Sequence, residues 1–424
     1  MPNLPDFVRW VSAIDSQPNS VECMKSESRT DLIALCGLLV LGQVATAILF
    51  SLSANPLIGG DSYLSIAQRF PSLSASEWPY GGYVILLRLG MLTGSAAWFA
   101  VAIQCIAAGA AGGALLSLGR RFSGSIAGWI AAATYLLHPL VAQWTRYVLT
   151  ESLFYSGVIA VAWLLVRVID LDRPFWWPLW LTVAVTASMR PNGIFLIGAA
   201  VSIVAIARRR GTLKMLPIVI LIWSCVLVLA TLSSPFAGAA EENRIGPRTW
   251  SGDVVWNVPE ERIEMPQPSV RDTSNSAFIG YTIEHPVDVA LLGARRVWWE
   301  LKQVRPWYSQ ELNAFTAITM ATFYLLAAVG AWTSRRSSLT LVVTGLSLPF
   351  MALIGVTWAI WEGRFGWWFL VVWTTWVGIG AERLMEVIRL RSRSTGLQPI
   401  NWDSQQDDAR SEICETDHSG DYPG

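Results

Sequence analysis

Long apolar stretches, separated by short connections rich in charge, proline and glycine, run through most of this chain. A helix needs roughly 20 apolar residues, within about 17–25, to cross a bilayer core. On that ruler about ten stretches qualify as spans: 32–53, 94–118, 126–141, 151–166, 176–189, 193–207, 216–232, 315–332, 339–358 and 365–380. The fifth and sixth are the shortest and mark a pair that only marginally crosses. The expected fold class is an all-α polytopic membrane protein.

The basic residues then orient the spans. Arg120-Arg121, Arg167 with Arg173, Arg208-Arg209-Arg210 with Lys214, Arg335-Arg336 and the run from Arg383 to Arg393 fall on alternate connections. They share one side, which an excess of Lys and Arg marks as cytoplasmic. Both termini join them there: a polar lead-in over 1–31 and a tail over 384–424. Residues 398–424 hold seven acids against Arg410 alone, a composition expected to stay disordered. The opposite side receives a first outer loop (54–93), the turn at 143–150, the turn at 190–192, a long outer loop (233–313) and residues 361–364.

Two of these outer connections carry helical patterns of their own. Pro79-Tyr80-Gly81-Gly82-Tyr83 opens an amphipathic piece over 84–92, broken by Arg88, which reads either as an interfacial helix or as an extension of the second span. The loop 233–313 is far longer than an ordinary connection. Its first half is punctuated by proline. Its second half, 276–302, places Ile279, Ile283, Val287 and Leu291 at helical spacing and predicts one or two interfacial helices, with Pro286 as a helix start.

Composition supports the class and excludes others. The 424 residues are 53% apolar and 15% charged, with mean hydropathy +0.42. The 23 Trp suit a bilayer interface, where indole has one apolar and one wet end. Lys+Arg and Asp+Glu balance at 31 each, so no bulk charge points to nucleic acid. The five cysteines have neither zinc-ligand spacing nor a disulfide pattern. The small-residue run 107–113 reads as close helix packing rather than a phosphate loop, since it lies mid-span with no lysine following.

The candidate chemistry gathers on the outer side. Gly59-Gly60-Asp61-Ser62-Tyr63 sets a carboxylate just beyond the first span, where it could take a proton from a substrate hydroxyl; an ordinary loop acid is the plainer reading. His138-Pro139 leads through Arg146 to Thr150-Glu151, where Glu151 starts a span and is either functional or a first-turn acid favoured by the helix dipole. Arg190-Pro191-Asn192-Gly193 turns between the two short spans, where Arg190 could hold a phosphate or snorkel to the interface. The pair Arg295-Arg296 lies in the long loop, and Glu362 and Arg364 precede the last span, either as ligands or paired with each other. Cations and carboxylates on one face of an apolar bundle suit a substrate with a lipid tail, a phosphate and a sugar.

On Gly60-Asp61-Ser62-Tyr63, Pro79-Tyr80-Gly81-Gly82-Tyr83, His138-Pro139, Leu149-Thr150-Glu151-Ser152, Arg190-Pro191-Asn192-Gly193, Arg295-Arg296-Val297-Trp298 and Glu362-Gly363-Arg364-Phe365, the chain resembles the GT-C superfamily of integral-membrane glycosyltransferases. The branch most alike holds protein O-mannosyltransferases and the lipid A aminoarabinose transferase. The likeness covers most of 32–383, which it implies to be a GT-C-like catalytic domain. It implies transfer of a sugar from a polyprenyl-phosphate donor to an outward-facing hydroxyl of a glycan, lipid or protein, by direct and inverting displacement. It implies Asp61 as catalytic base, Glu151 close to the site, and Tyr63, Arg146, Arg190, Asn192, Glu362 and Arg364 as contacts for lipid phosphate or sugar. Many members carry a second acid after the first; here that place is Ser62, so no metal and no other cofactor is expected. The expected partners are the donor, its acceptor and membrane lipid, without nucleic acid. A transporter or flippase for a lipid-linked solute is the alternative, although the chain shows no internal repeat and its charges sit at the outer edge. A non-catalytic scaffold of envelope assembly is the third reading.

Overall fold

The computed structural model describes residues 19–49, 55–57, 62–74, 77–171, 176–208, 245–256, 258–268, 275–357, 359–360 and 363–394. The expected span at 216–232 lies outside them, as do Asp61 and Glu362. Among the described residues the secondary structure is helical, with only isolated β-bridges.

Among the described residues, fifteen α-helices follow in order. They are α1 (Asn19–Leu49), α2 (Ser62–Arg69), α3 (Gly81–Leu92), α4 (Ala96–Phe122), α5 (Ser125–Leu137), α6 (Pro139–Ala142), α7 (Glu151–Leu171), α8 (Trp176–Ala187) and α9 (Gly193–Arg208). The outer segment adds α10 (Ile245–Trp250), α11 (Asn275–Glu284) and α12 (Pro286–Lys302), and α13 (Gln310–Thr333), α14 (Ser338–Val356) and α15 (Trp367–Ser394) close the chain. Stretches within α1, α4, α7, α13 and α14 are long and apolar enough to cross a membrane, and α5 with the turn after it makes a sixth if the bent pair is one span. The expected ten goes beyond these six. Helices α8 and α9 are 12 and 16 residues long, shorter than a full crossing.

The bend has a local cause. Proline at 139 disfavours helical backbone at the residue before it, and His138 is extended at φ −65°, ψ 118°. The helix axis turns 56° there, and the chain runs on through Gln143–Thr145 to the start of α7. The first outer segment is stitched to this passage by backbone bonds: Leu57 N–H donates to Arg146 O at 2.9 Å, and Val148 N–H donates to Leu57 O at 2.8 Å.

Small residues let the helices close up. Ala108, Ala111 and Gly112 of the 107–113 run are buried, and a Cβ at Gly112 would press on Leu136. Between α13 and α15, side chains at Gly330 or Gly380 would collide with facing backbone carbonyls, so these helices pack backbone to backbone. The core joins α4, α5, α7, α14 and α15, with Phe154, Phe350 and Trp368 meeting edge to face. A second cluster packs α2 and α3 against α4 and the ends of α7 and α8, through Ile66, Tyr83, Leu87, Ala100, Leu153 and Met189. The piece at 84–92 is thus a helix separate from α4, divided from it by Gly94 at φ +85°. In the long loop α12 begins at Pro286, where a missing N–H costs nothing in the first turn.

Candidate active site

Glu151 is the first residue of α7 and is 2% exposed. Two guanidinium groups reach one of its oxygens: Arg190 Nη1 lies 2.7 Å, and Arg364 Nη1 3.1 Å, from Oε1. The Thr150 hydroxyl lies 3.5 Å from the other oxygen. An isolated buried carboxylate would be costly, and so would either buried cation. Together they hold a net positive charge, two cations against one anion.

Each partner is placed by a specific piece of fold. Arg190 sits in the turn between α8 and α9, which is short because Gly193 abuts the Ala187 backbone, where no Cβ would fit. Helix α8 lies close against α7 because Gly157 faces Thr186. Arg364 stands on the connection into α15, whose carbonyl at 364 accepts a 2.7 Å bond from the Tyr155 hydroxyl. Aromatic faces line both cations: Arg190 lies over Trp368 and Phe365, and Arg364 over Trp144 and Phe365. Burial alone would weaken the hold of Arg190 on its proton, but Glu151 outweighs that and raises its pKa. Nε of Arg190 is buried and finds no hydrogen-bond partner among the described residues; the same holds for the Tyr83 hydroxyl and the Trp144 and Trp368 indole nitrogens. Arginine Nε and indole N–H are donors only, so an acceptor-rich group is the natural complement of this wall.

Tyr63 belongs to the same neighbourhood. Its ring packs edge-on against Tyr80 at 5.3 Å and Tyr83 at 5.5 Å between centroids. Burial, then Tyr80, raises its pKa, while Arg190 and Arg364 are near enough to pull it down. Helix α3 is pinned beside it where Gly82 N–H donates to Ser188 O at 3.0 Å, two residues before Arg190.

Tyr63, Glu151, Arg190 and Arg364 therefore converge. Asn192 shares the turn with Arg190, half-buried, its carbonyl accepting from Phe195 N–H. Arg146 is half-buried on the passage before α7, near Cys105 of α4, with Nη1 buried and without a hydrogen-bond partner among the described residues. Asp61, the residue before α2, and Glu362, two before Arg364, lie outside the described residues. No group of three or more metal-ligating side chains occurs among the described residues.

Residues 76–236 match the family model described as dolichyl-phosphate-mannose-protein mannosyltransferase. That is a GT-C type family of membrane glycosyltransferases, and the resemblance to it holds over this stretch. No curated protein matches the chain significantly. The mannosyltransferase-like stretch contains Arg146, Glu151, Arg190 and Asn192, whereas Asp61, Tyr63, Glu362 and Arg364 lie on either side of it.

The long loop was expected to bring Arg295-Arg296 to the same cluster, but Arg296 has another task. It is 1% exposed and donates to the carbonyls of Asp253, Gly355, Val356 and Arg248 at 2.9–3.2 Å, gathering the outer segment onto the end of α14. Glu300, Gln303 and Arg305 are buried beside the connection carrying Arg364, and sequence reasoning missed them. For Glu300 the signal was present: it recurs four residues after Arg296 on the buried face of an amphipathic helix, next to Trp299, whereas Gln303 and Arg305 lie past the helix end.

Proposed function

We propose that this protein transfers a sugar from a polyprenyl-phosphate donor to an extracytoplasmic hydroxyl of a glycan, lipid or protein, by direct displacement with inversion. The single observation that carries the reading is the meeting of Arg190 and Arg364 on one oxygen of Glu151. Residues 32–383 form the catalytic domain, with both termini cytoplasmic and the cluster facing outward. The ten-span count and the interfacial placement of α3, α11 and α12 belong to the same reading.

The chemistry asks for such a cluster. The acceptor oxygen bonds to the anomeric carbon of the sugar while its proton passes to a base, for which Asp61 is the assigned carboxylate. The bond from that carbon to the phosphate oxygen breaks, and the electron pair leaves with the lipid phosphate. The donor is a phosphodiester with one negative charge, and the product monoester carries nearly two at neutral pH. Charge therefore grows at the phosphate as the reaction advances. Fixed cations in a water-poor site stabilise that growth more than they stabilise the bound donor, which is what lowers a barrier. Glu151 keeps the two guanidinium groups aligned before the phosphate arrives. Tyr63 and Asn192 line the sugar side, and Arg146 adds positive charge behind it.

The test uses purified protein in lipid nanodiscs, given polyprenyl-phosphate sugars and an envelope extract as acceptor source. Release of polyprenyl phosphate by the wild type, falling about 10²–10⁴-fold in Asp61→Asn, is the expected result. Release at the wild-type rate by Asp61→Asn removes that carboxylate from the mechanism. No release with any donor overturns the reading.

A further inference from the structure

Arg364 is carried by the connection between α14 and α15, where Gly363 N–H donates to Ile360 O at 3.0 Å. Besides the Tyr155 hydroxyl on Arg364 O, a set of bonds reaches it from the end of α12 in the long outer loop. Glu300 is fully buried there and accepts Ile360 N–H on Oε1 at 2.7 Å and Gly366 N–H on Oε2 at 2.8 Å. One carboxylate thus holds both ends of the seven-residue stretch 360–366, with Arg364 between them. Gln303, at φ 53°, adds a bond from Nε2 to Gly363 O at 2.9 Å and another to Glu300 O. Gly363 itself sits at φ +69°, where a side chain would collide with the Arg305 guanidinium.

We propose that Glu300 is a positioning residue for Arg364: by clamping 360–366 at both ends it sets the guanidinium against Glu151, so the outer loop shares with the membrane bundle, through the Tyr155 hydroxyl on Arg364 O, the assembly of the phosphate-binding cations. This rests on the reading of Arg364 as a contact for the leaving phosphate. The chemistry of the clamp requires an acid. Two backbone donors converge on two oxygens, and only a carboxyl group can present an acceptor to each. A glutamine there would turn its NH₂ towards one of the N–H groups and lose that bond. Burial pushes the Glu300 carboxyl up to about 7, while Arg305 and the two backbone donors pull it back towards the ionised form.

The experiment compares wild type, Glu300→Gln, Arg364→Ala and the double variant in nanodiscs. Amide hydrogen exchange at Ile360 and Gly366 is expected to quicken about tenfold or more in Glu300→Gln. The affinity for a polyprenyl monophosphate, used as probe, is expected to fall about tenfold with it, and Arg364→Ala is expected to add little further loss. Gln303→Ala, which removes the bonds to Gly363 O and Glu300 O but leaves both carboxylate bonds of Glu300 in place, is expected to move both quantities the same way by less, and serves if Glu300→Gln does not fold. Unchanged exchange, or faster exchange with full affinity and additive losses, overturns the proposal. Should the wild type bind no polyprenyl monophosphate, the functional reading fails by itself. The clamp is then decided by the thermal midpoints of the same four proteins. A smaller Arg364→Ala loss in the Glu300→Gln background supports it, and equal losses overturn it.

Discussion

Arg190 Nη1 stands 2.7 Å from Glu151 Oε1, both side chains more than nine-tenths buried, at the junction of a turn and the first residue of a helix. Two elements that are distant in the chain are joined through a pair that neither could keep buried alone. Removing the acid leaves two guanidinium groups facing each other with little water. Glu151→Gln is therefore expected to lose about 3–5 kcal/mol of stability, seen as a lower thermal midpoint in detergent. An unchanged midpoint would mean that the pair is not the buried unit described above.

Arginine and lysine should differ at 190. The guanidinium lies over Trp368 and Phe365 while keeping Nη1 on Glu151, a combination that needs a flat, forked cation. Arg190→Lys keeps the charge and loses the fork. The expected outcome is about tenfold weaker binding of polyprenyl monophosphate, measured in nanodiscs, with protein yield near wild type. Equal affinity for the two proteins would assign the phosphate to another cation.

The turn that presents Arg190 depends on an absent side chain. A Cβ at Gly193 would meet the oxygen, Cα and carbonyl carbon of Ala187. These are backbone atoms and cannot rotate away. Gly193→Ala is expected to cost about 1–3 kcal/mol and to displace Arg190, so thermal midpoint and lipid binding fall together. A midpoint equal to wild type would show that the turn has room to spare.

Asp253 offers a pH prediction. Burial alone would raise its pKa, but hydrogen bonds from Arg248 at 2.8 Å and Arg262 at 2.5 Å outweigh burial and lower it. A carboxylate with a depressed folded pKa contributes stability that is present above its unfolded value, about 3.9, and lost as pH falls through the folded one. The attachment of 248–262 should weaken only in strong acid, read as faster protease cleavage of that stretch below about pH 4. In Asp253→Asn the cleavage rate should already be high at neutral pH and vary little with acidity. A wild-type rate that rises between neutrality and mild acid would point to a different group.

Much of the bundle was legible because its signal is local. Apolar length marked α4, α7, α13 and α14, whereas the expected third span ran unbroken over 126–141 and missed the break at His138, which the rule that disfavours helix before proline explains. Small residues at 107–113 marked a close contact that the structure contains. The convergence of Glu151 with Arg190 and Arg364 was only half legible. Each residue was visible as a charge next to a span, yet nothing in the sequence says that both cations share one oxygen and not that Arg364 pairs with Glu362. The roles of Arg296 and Glu300 were hidden for a different reason. Their partners are backbone atoms from 248 to 366, and a backbone carbonyl or N–H has no letter in the sequence. Of the four expected spans beyond the six that are long and apolar enough to cross, two are α8 and α9, apolar but short and joined by a turn that buries its own arginine, one is α15, long enough but too polar, and 216–232 lies outside the described residues.

Helix α12 crosses the end of α14 where Gly293 meets Gly355, with 3.3 Å between the position of an added Cβ on the first and the carbonyl oxygen of the second. The two glycines leave no ridge at that point, so the crossing is held by the polar grips of Arg296 and Glu300 together with Val297 and Leu301, which pack on the bundle core. Freed of the grips at Arg296 and Glu300, the helix would still be seated on the bundle by that apolar seam.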